Sequence, residues 1–385
     1  MEKMSVMYTL TQYLQTLENP DGLCHRLEGF TLCRHADGHP IYHIGNSAIL
    51  FKIQLHGRTL RLRCYTQRPA RNLSLLYGES LLERELYLYQ GATGEWVDVV
   101  VEEWIEGENL EQVMVRAAKA EERNTLHHLS AQFEQLASEL LQAPWAHGDL
   151  KPENIGVGRE GELQLIDFDG CYLPEEPLKL APELGTPAWQ HPARGNHYDA
   201  WLDHYPATLM AVQLRALALD PTLIRRFPRS EGILFHPEEV TPQRRNEGPL
   251  CEAYRAVCTL FASRGDAVHY RLARLLLHPD HRLPDCEELL GFRHPLRKVD
   301  GLEIFFDRRL AGFKAADGYC TPLLYDEAFD FREGWALIRL GKYRHYIDRT
   351  LRVVYTLPAT CSAAKSRRNG RIRYRIEEEW YEEEV

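Results

Sequence analysis

The sequence predicts an α+β protein in two lobes, a small β-rich one and then a larger helical one, followed by a small β module. Three observations carry this. Alternating apolar and polar residues, broken by tight-turn dipeptides, dominate up to residue 110. From Glu111 the apolar spacing becomes helical and stays mainly so as far as Phe292. Beyond that point aromatic and glycine residues recur among β-favouring ones. These changes divide the chain into an N-terminal helical extension (1–34), a small lobe (35–110), a large lobe (111–292), a β module (293–358) and a charged tail (359–385). At 385 residues the chain is too long for one ordinary domain of about 100–200 residues.

The elements follow in order. Leu10, Tyr13, Leu14 and Leu17 line one face of a short helix over Thr9 to Leu17, and Asn19-Pro20-Asp21-Gly22 ends it. Ile41 to Ile44, Ala48 to Leu55 and Leu60 to Tyr65 read as strands, the last two joined at His56-Gly57. Leu73 to Leu82 reads as a helix, and Leu86 to Tyr89 and Trp96 to Ile105 as two further strands. In the large lobe, Leu129, Phe133, Leu136 and Leu140 mark a helix over Leu126 to Leu141. Short strands around Ile155 and over Leu163 to Ile166 come next, then helices over Leu209 to Leu219, Cys251 to Phe261 and Tyr270 to Leu277. Ala336 to Tyr346 and Tyr346 to Tyr355 suggest the strands of the last module.

Composition narrows the function classes. Net charge is −10 with a pI near 6.0, so no global basic field draws the chain to nucleic acid or to an anionic membrane. The basic run Lys365 to Arg375 is followed at once by acidic Glu377 to Glu384; the two stretches could pair, but a solvated terminus is the expectation. Nine cysteines form no C-x-x-C pair and read as free thiols in a reducing compartment. No secretory signal is visible before Pro20, and no stretch approaches ~18 apolar residues, so the expected location is the cytoplasm.

Chemistry concentrates in His147-Gly148-Asp149-Leu150-Lys151-Pro152-Glu153-Asn154 and in Asp167-Phe168-Asp169-Gly170. Moving a γ-phosphoryl group needs mainly positioning and neutralisation of charge. Asp149 can take the proton of an acceptor hydroxyl, and Lys151 can reach the transferred phosphate from the same loop. Asn154 and Asp167 supply the oxygen ligands that magnesium prefers. Leu163, Leu165 and Ile166 would anchor Asp167 at a strand end.

These two strings resemble the catalytic loop and metal-binding loop of the protein kinase superfamily. The resemblance runs from residue 35 to 292 and implies a bilobal, ATP- and Mg2+-dependent phosphotransferase, with Mn2+ as an alternative metal. It implies Asp149 as base, Lys151 as charge stabiliser, and Asn154 and Asp167 as metal ligands. Glu103-Trp104-Ile105 looks like the segment between lobes whose backbone meets adenine. Gly45, in Gly45-Asn46-Ser47, looks like the phosphate-covering turn. Arg63 fills the slot of the phosphate-binding lysine, with Lys52 as its rival. Its carboxylate partner would be Glu79, or Glu83 one turn on. Glu102 stands where an apolar residue is usual, so Arg63 or another cation meets it, or the register shifts by one. Asp169 either caps its turn, the favoured reading, or adds a third carboxylate.

Gly185 to Pro192 resembles the end of an activation segment, with Gln190-His191-Pro192 in place of Ala-Pro-Glu. The resemblance makes Asp203 the carboxylate that braces the catalytic loop. It makes Arg282, in His278-Pro279-Asp280-His281-Arg282, a structural arginine whose glutamate partner is missing. Gly148 replaces an arginine that binds an activation-loop phosphate, which argues against switching by phosphorylation.

Tyr325 to Asp348, with Gly334 and Trp335, is similar to the WG repeat of bacterial proteins. That resemblance implies a bacterial kinase-like chain whose β module binds a protein partner or substrate, or is a purely structural cap. Three functions stay open at this point: a serine/threonine protein kinase, favoured by Lys151-Pro152-Glu153; a pseudokinase scaffold or nucleotide-binding module; and a small-molecule kinase.

Overall fold

The computed structural model describes residues 7–45, 47–69, 71–176, 178–240 and 250–385. Asn46, in the glycine turn, lies outside the described residues. The chain mixes helix and strand and divides into two units, Met1–Glu106 and Gly107–Val385.

The first unit is built on an antiparallel sheet of β1 (Thr31–Leu32), β2 (Tyr42–Ile44), β3 (Ala48–Leu55), β4 (Arg58–Tyr65), β5 (Leu81–Gln90) and β6 (Thr93–Glu103). Its order is β1-β3-β4-β6-β5, with β2 also on β3. Helix α1 (Leu10–Glu18) starts from a Thr9/Gln12 capping box and buries Tyr13 and Leu17. Those two pack with Leu27, Phe51, Ile53, Leu62, Leu86 and Val99 into one core, so the N-terminal extension belongs to this unit. Glu85, fully buried in β5, accepts the backbone N–H groups of His25, Arg26 and Leu27 at 3.0, 2.6 and 2.8 Å. Three N–H donors on one carboxylate tie the turn at residues 25–27 to β5.

One expectation fails here. The helix expected over Leu73 to Leu82 stops at Tyr77 (α2, Leu73–Tyr77), and Gly78 to Ser80 form a single tight turn. Gly78 leaves the helix with φ +49°, and Leu81 onward is drawn into pairing with β6. The apolar run Leu81-Leu82 satisfied either periodicity, and sheet pairing won.

The second unit holds helices α3 (Leu110–Lys119), α4 (Arg123–Leu141), α5 (His204–Leu219), α6 (Leu223–Arg226), α7 (Glu252–Arg264), α8 (Ala267–Leu275) and α9 (Cys286–Gly291). Helix α5 is apolar on nearly every side and almost wholly buried, which makes it the central element of the unit. Arg215 of α5, Asp266 and His269 before and on α8, and Glu134 of α4 join in one charge network. Burial opposes the charged ring, but the Asp266 and Glu134 carboxylates push His269 up to about 9. A two-stranded hairpin, β7 (Ile155–Val157) with β8 (Leu163–Leu165), carries the candidate site.

The later strands are β9 (Glu303–Asp307), β10 (Leu310–Lys314), β11 (Glu327–Ala328), β12 (Trp335–Leu340), β13 (Tyr343–Asp348) and β14 (Val353–Thr356). They share a core with the helices. Arg271 of α8 donates to Leu324 O at 2.8 Å and pairs with Asp326 at 2.5 Å, and His345 Nε2 lies 2.7 Å from Ala262 O. The β module therefore rests on α7 and α8 of its own chain.

The charged tail is also ordered, against the expectation of a solvated terminus. It forms a meander of β15 (Cys361–Arg368), β16 (Arg371–Ile376) and β17 (Glu379–Glu384). Arg373 stands opposite Glu382 and Arg371 opposite Glu384, so the two charge runs pair across strands. Ile372 and Tyr374 point the other way into an apolar cluster. The run of charge hid a period of two.

Candidate active site

Helix α4 ends at Leu141, and the chain then runs to His147, whose ring is buried, packs on Phe168 at 5.5 Å and places Nε2 2.9 Å from Ile166 O. Asp203, just before α5, accepts the backbone N–H groups of both His147 and Gly148, the latter at 3.0 Å. Arg194 donates to Gly148 O at 2.6 Å and to Glu183 O at 3.3 Å. Burial raises the Asp203 carboxyl and lowers the Arg194 guanidinium, and the charge of each opposes the shift of the other. The loop backbone is thus gripped on its donor and acceptor sides. Gly148 sits at φ +77°, and a Cβ there would lie 2.2 Å from Gly170 O. No side chain fits in that slot, because the two loops touch backbone to backbone.

This grip presents a compact set of side chains. Asp149 Oδ1 accepts the Thr186 N–H at 2.7 Å, and Oδ2 lies 2.9 Å from Lys151 Nζ and 3.2 Å from Asn154 Nδ2. Asn154 Nδ2 also donates to Asp149 O at 2.9 Å, and Lys151 Nζ to Thr186 Oγ1 at 2.8 Å. Asp149 and Asn154 are buried, while Lys151 is half-buried. Asp167 follows β8 in the left-handed region at φ +70°, and Ile166 N–H bonds Asn154 O at 2.9 Å. That bond sets the Asn154 and Asp167 backbones side by side.

Sequence reasoning passed over Glu183, Arg194 and the contacts of Thr186. Partial withdrawal from water, and then the Asp167, Asp169 and Asp149 carboxylates, raise Glu183, with Lys151 opposing. Its one signal in the sequence is that it is the sole acidic residue between Glu176 and Asp199. Arg282 stacks on Trp201, 3.7 Å from the ring centre. The tie between residues 185–192 and the 278–282 turn runs instead through His191, whose Nε2 lies 3.0 Å from His278 O while Nδ1 accepts the Ala193 N–H. Burial lowers His191, which suits a neutral ring in that double role.

In the first unit, Gly45 N–H closes its turn onto Ala48 O at 2.8 Å. Arg63 is buried in β4 with its guanidinium 5.9 Å from the Tyr77 ring, whereas Glu79 is exposed on the tight turn after α2, and Glu83 is exposed on β5. Arg61, opposite Glu102 in the sheet register, meets that carboxylate at 2.6 Å. Lys52 pairs with Glu106 at 2.5 Å and lies 4.9 Å over the Trp104 ring, which stacks on His43. Glu103 pairs with Arg58, Trp104 N–H donates to Thr59 O at 3.2 Å, and Ile105 is half-buried.

Comparison with known proteins gives partial likenesses. The chain is 34% identical over 71 residues to serine/threonine-protein kinase pakB of Dictyostelium discoideum, covering 18% of this chain and 8% of that protein. It is 26% identical over 136 residues to serine/threonine-protein kinase pakA of the same organism, covering 34% of this chain and 11% of that protein. The chain therefore spans only 8% and 11% of the length of these two relatives. No protein-family model matches it. Among the described residues, no helix is long and apolar enough to cross a membrane.

Proposed function

We propose that this chain is an ATP- and Mg2+-dependent phosphotransferase that moves the γ-phosphoryl group to a hydroxyl, with protein serine or threonine as acceptor. One observation carries the reading: Asp149, Lys151 and Asn154 converge on a loop whose backbone Asp203 and Arg194 hold from both sides. Asp149 is the base for the acceptor proton. Lys151 neutralises charge on the phosphate in flight. Asn154 commits its Nδ2 to Asp149, and its amide oxygen, together with the Asp167 carboxylate, would hold a divalent cation. Burial is the first cause that raises Glu183, and the Asp167, Asp169 and Asp149 carboxylates add to it; that group of carboxylates beside Asn154 supports the cation. Mn2+ would serve in place of Mg2+. On the nucleotide side the reading assigns Gly45, Arg63, Glu79 and the stretch Glu103-Trp104-Ile105. A protein partner or substrate engaged through the C-terminal strands, and a cytoplasmic location, complete it.

A scaffold without chemistry is the second reading, and the paired charges of the first unit favour it. Arg61, Lys52 and Arg58 are all engaged by glutamates. Incubating the chain with labelled ATP, Mg2+ or Mn2+ and generic protein substrates, alongside Asp149→Asn, separates the two. Transfer that the substitution abolishes is the result expected of the enzyme. Absence of transfer, with no nucleotide-induced thermal shift, would establish the scaffold.

A further inference from the structure

We propose that His197, Asp199 and His281 form a zinc-binding site, apart from the Asp149 constellation and independent of the phosphotransfer reading. One ligand atom from each lies within 4.8 Å of the other two, and among the described residues this is the one such group of His, Cys, Asp or Glu. His281 Nε2 is 3.3 Å from Asp199 Oδ2. Two donors on one tetrahedral zinc, with bonds of about 2.0–2.1 Å, stand about 3.3–3.4 Å apart. His197 Nδ1 lies 4.0 Å from the same oxygen, and its ring packs on that of His281 with centroids 4.8 Å apart. Closing the site asks for a shift on the order of 1–1.5 Å in one exposed ring.

The surroundings are those of a ligand set. The second Asp199 oxygen accepts the Trp201 N–H at 2.9 Å, which fixes the carboxylate and leaves Oδ2 toward the histidines. His281 Nδ1 is 2.8 Å from Asp280 Oδ1, close enough for charge attraction though out of line for a hydrogen bond. A carboxylate behind a ligating imidazole orients the ring and strengthens it as a donor. An imidazolium held between Asp280 and Asp199 would need only three of these four residues. It gives His197 no role, and a second cation at that place would be repelled. A metal accepts both rings as neutral donors. His281 is buried and His197 exposed, so a fourth position would be open to water. The site would tie residues 197–203, which end in Asp203, to the turn at 278–282.

The test uses the full chain stripped with a chelator and titrated with Zn2+ alone, then with Co2+ as a spectroscopic stand-in. One equivalent of zinc per chain is expected, with a tetrahedral Co2+ spectrum lacking a thiolate charge-transfer band. Exposed His197→Ala should keep its circular dichroism and melting curve without metal, yet lose the bound equivalent. Asp280→Asn should weaken binding by about 10–100-fold. Failure of the folded chain to retain zinc would overturn the proposal. So would unchanged binding in His197→Ala, or a thiolate band, since either assigns the zinc to the free cysteines.

Discussion

Residues 147–203 and residues 52–106 carry the same kinds of charge and use them in different ways. In the first stretch, one backbone N–H, one lysine and one amide hold Asp149, and a buried aspartate and arginine grip the loop behind it. In the second, three carboxylates are each met by a cation: Arg61 on Glu102, Lys52 on Glu106, Arg58 on Glu103. Self-paired charges strengthen strand pairing and offer little field to a ligand. A carboxylate held largely by neutral donors keeps its charge available. The contrast separates a loop whose carboxylate shares its charge with neutral donors from strands whose charges are paired among themselves.

The largest effect expected from breaking this contrast is Asp149→Asn, which should cut phosphoryl transfer by about 10²–10⁴-fold while leaving the melting curve nearly in place. Measured transfer rates beside circular dichroism would check both halves. Asp203→Ala should do the opposite. It strips two buried backbone N–H groups of their acceptor and removes the carboxylate charge that most favours the Arg194 guanidinium, a loss of about 3–5 kcal/mol in denaturant unfolding.

Glu102→Leu alone should cost about 2–3 kcal/mol, because Arg61 is left largely buried and uncompensated. The double variant Arg61→Met with Glu102→Leu should return most of that loss. A double variant as unstable as the single would show that the pair adds stability beyond its own neutralisation. Lys52→Ala should cost less than about 1 kcal/mol, since Glu106 is half-exposed and the pair is screened. A much larger loss, read by the same unfolding curves, would place Lys52 among residues with a further role.

The difference between the two stretches also governed what could be read in advance. The 147–170 stretch was legible because its groups are close in sequence and its loop conformations follow from Gly148, Pro152 and a strand end. The order of strands in the first unit and the helical texture of the second were legible from periodicity. The turn that carries Glu79 reads as helix in the sequence because Leu73 to Leu82 fits two periods, and only pairing with β6 decides between them. The identity of the Glu102 partner needed a sheet register, since Arg61 and Arg63 are equally plausible in one dimension. Arg194 and Glu183 were missed for a similar reason: their partners lie 11 to 46 residues away through contacts no local pattern encodes. The charged tail misled because its cross-strand neutralisation is invisible until the strands fold back.

The smallest effect is also the one that joins the contrast to a metal. Glu183 sits among like charges, where Glu102 sits beside a cation. The folded chain holds the Glu183 proton more tightly than the unfolded chain does. Stability therefore falls as pH rises from the ordinary glutamate range through the raised folded value, and Glu183→Gln removes that part of the fall. The comparison is read as the difference between wild-type and Glu183→Gln melting temperatures across a pH series. Above the raised value the Gln variant should be slightly the more stable. Adding millimolar Mg2+ should shrink that gap, because a cation held by Asp167 would neutralise the carboxylate part of the shift, while the part due to burial stays. A gap that Mg2+ leaves untouched would mean that the carboxylates crowd one another without binding the ion, and the 147–203 stretch would then lose its claim to the metal.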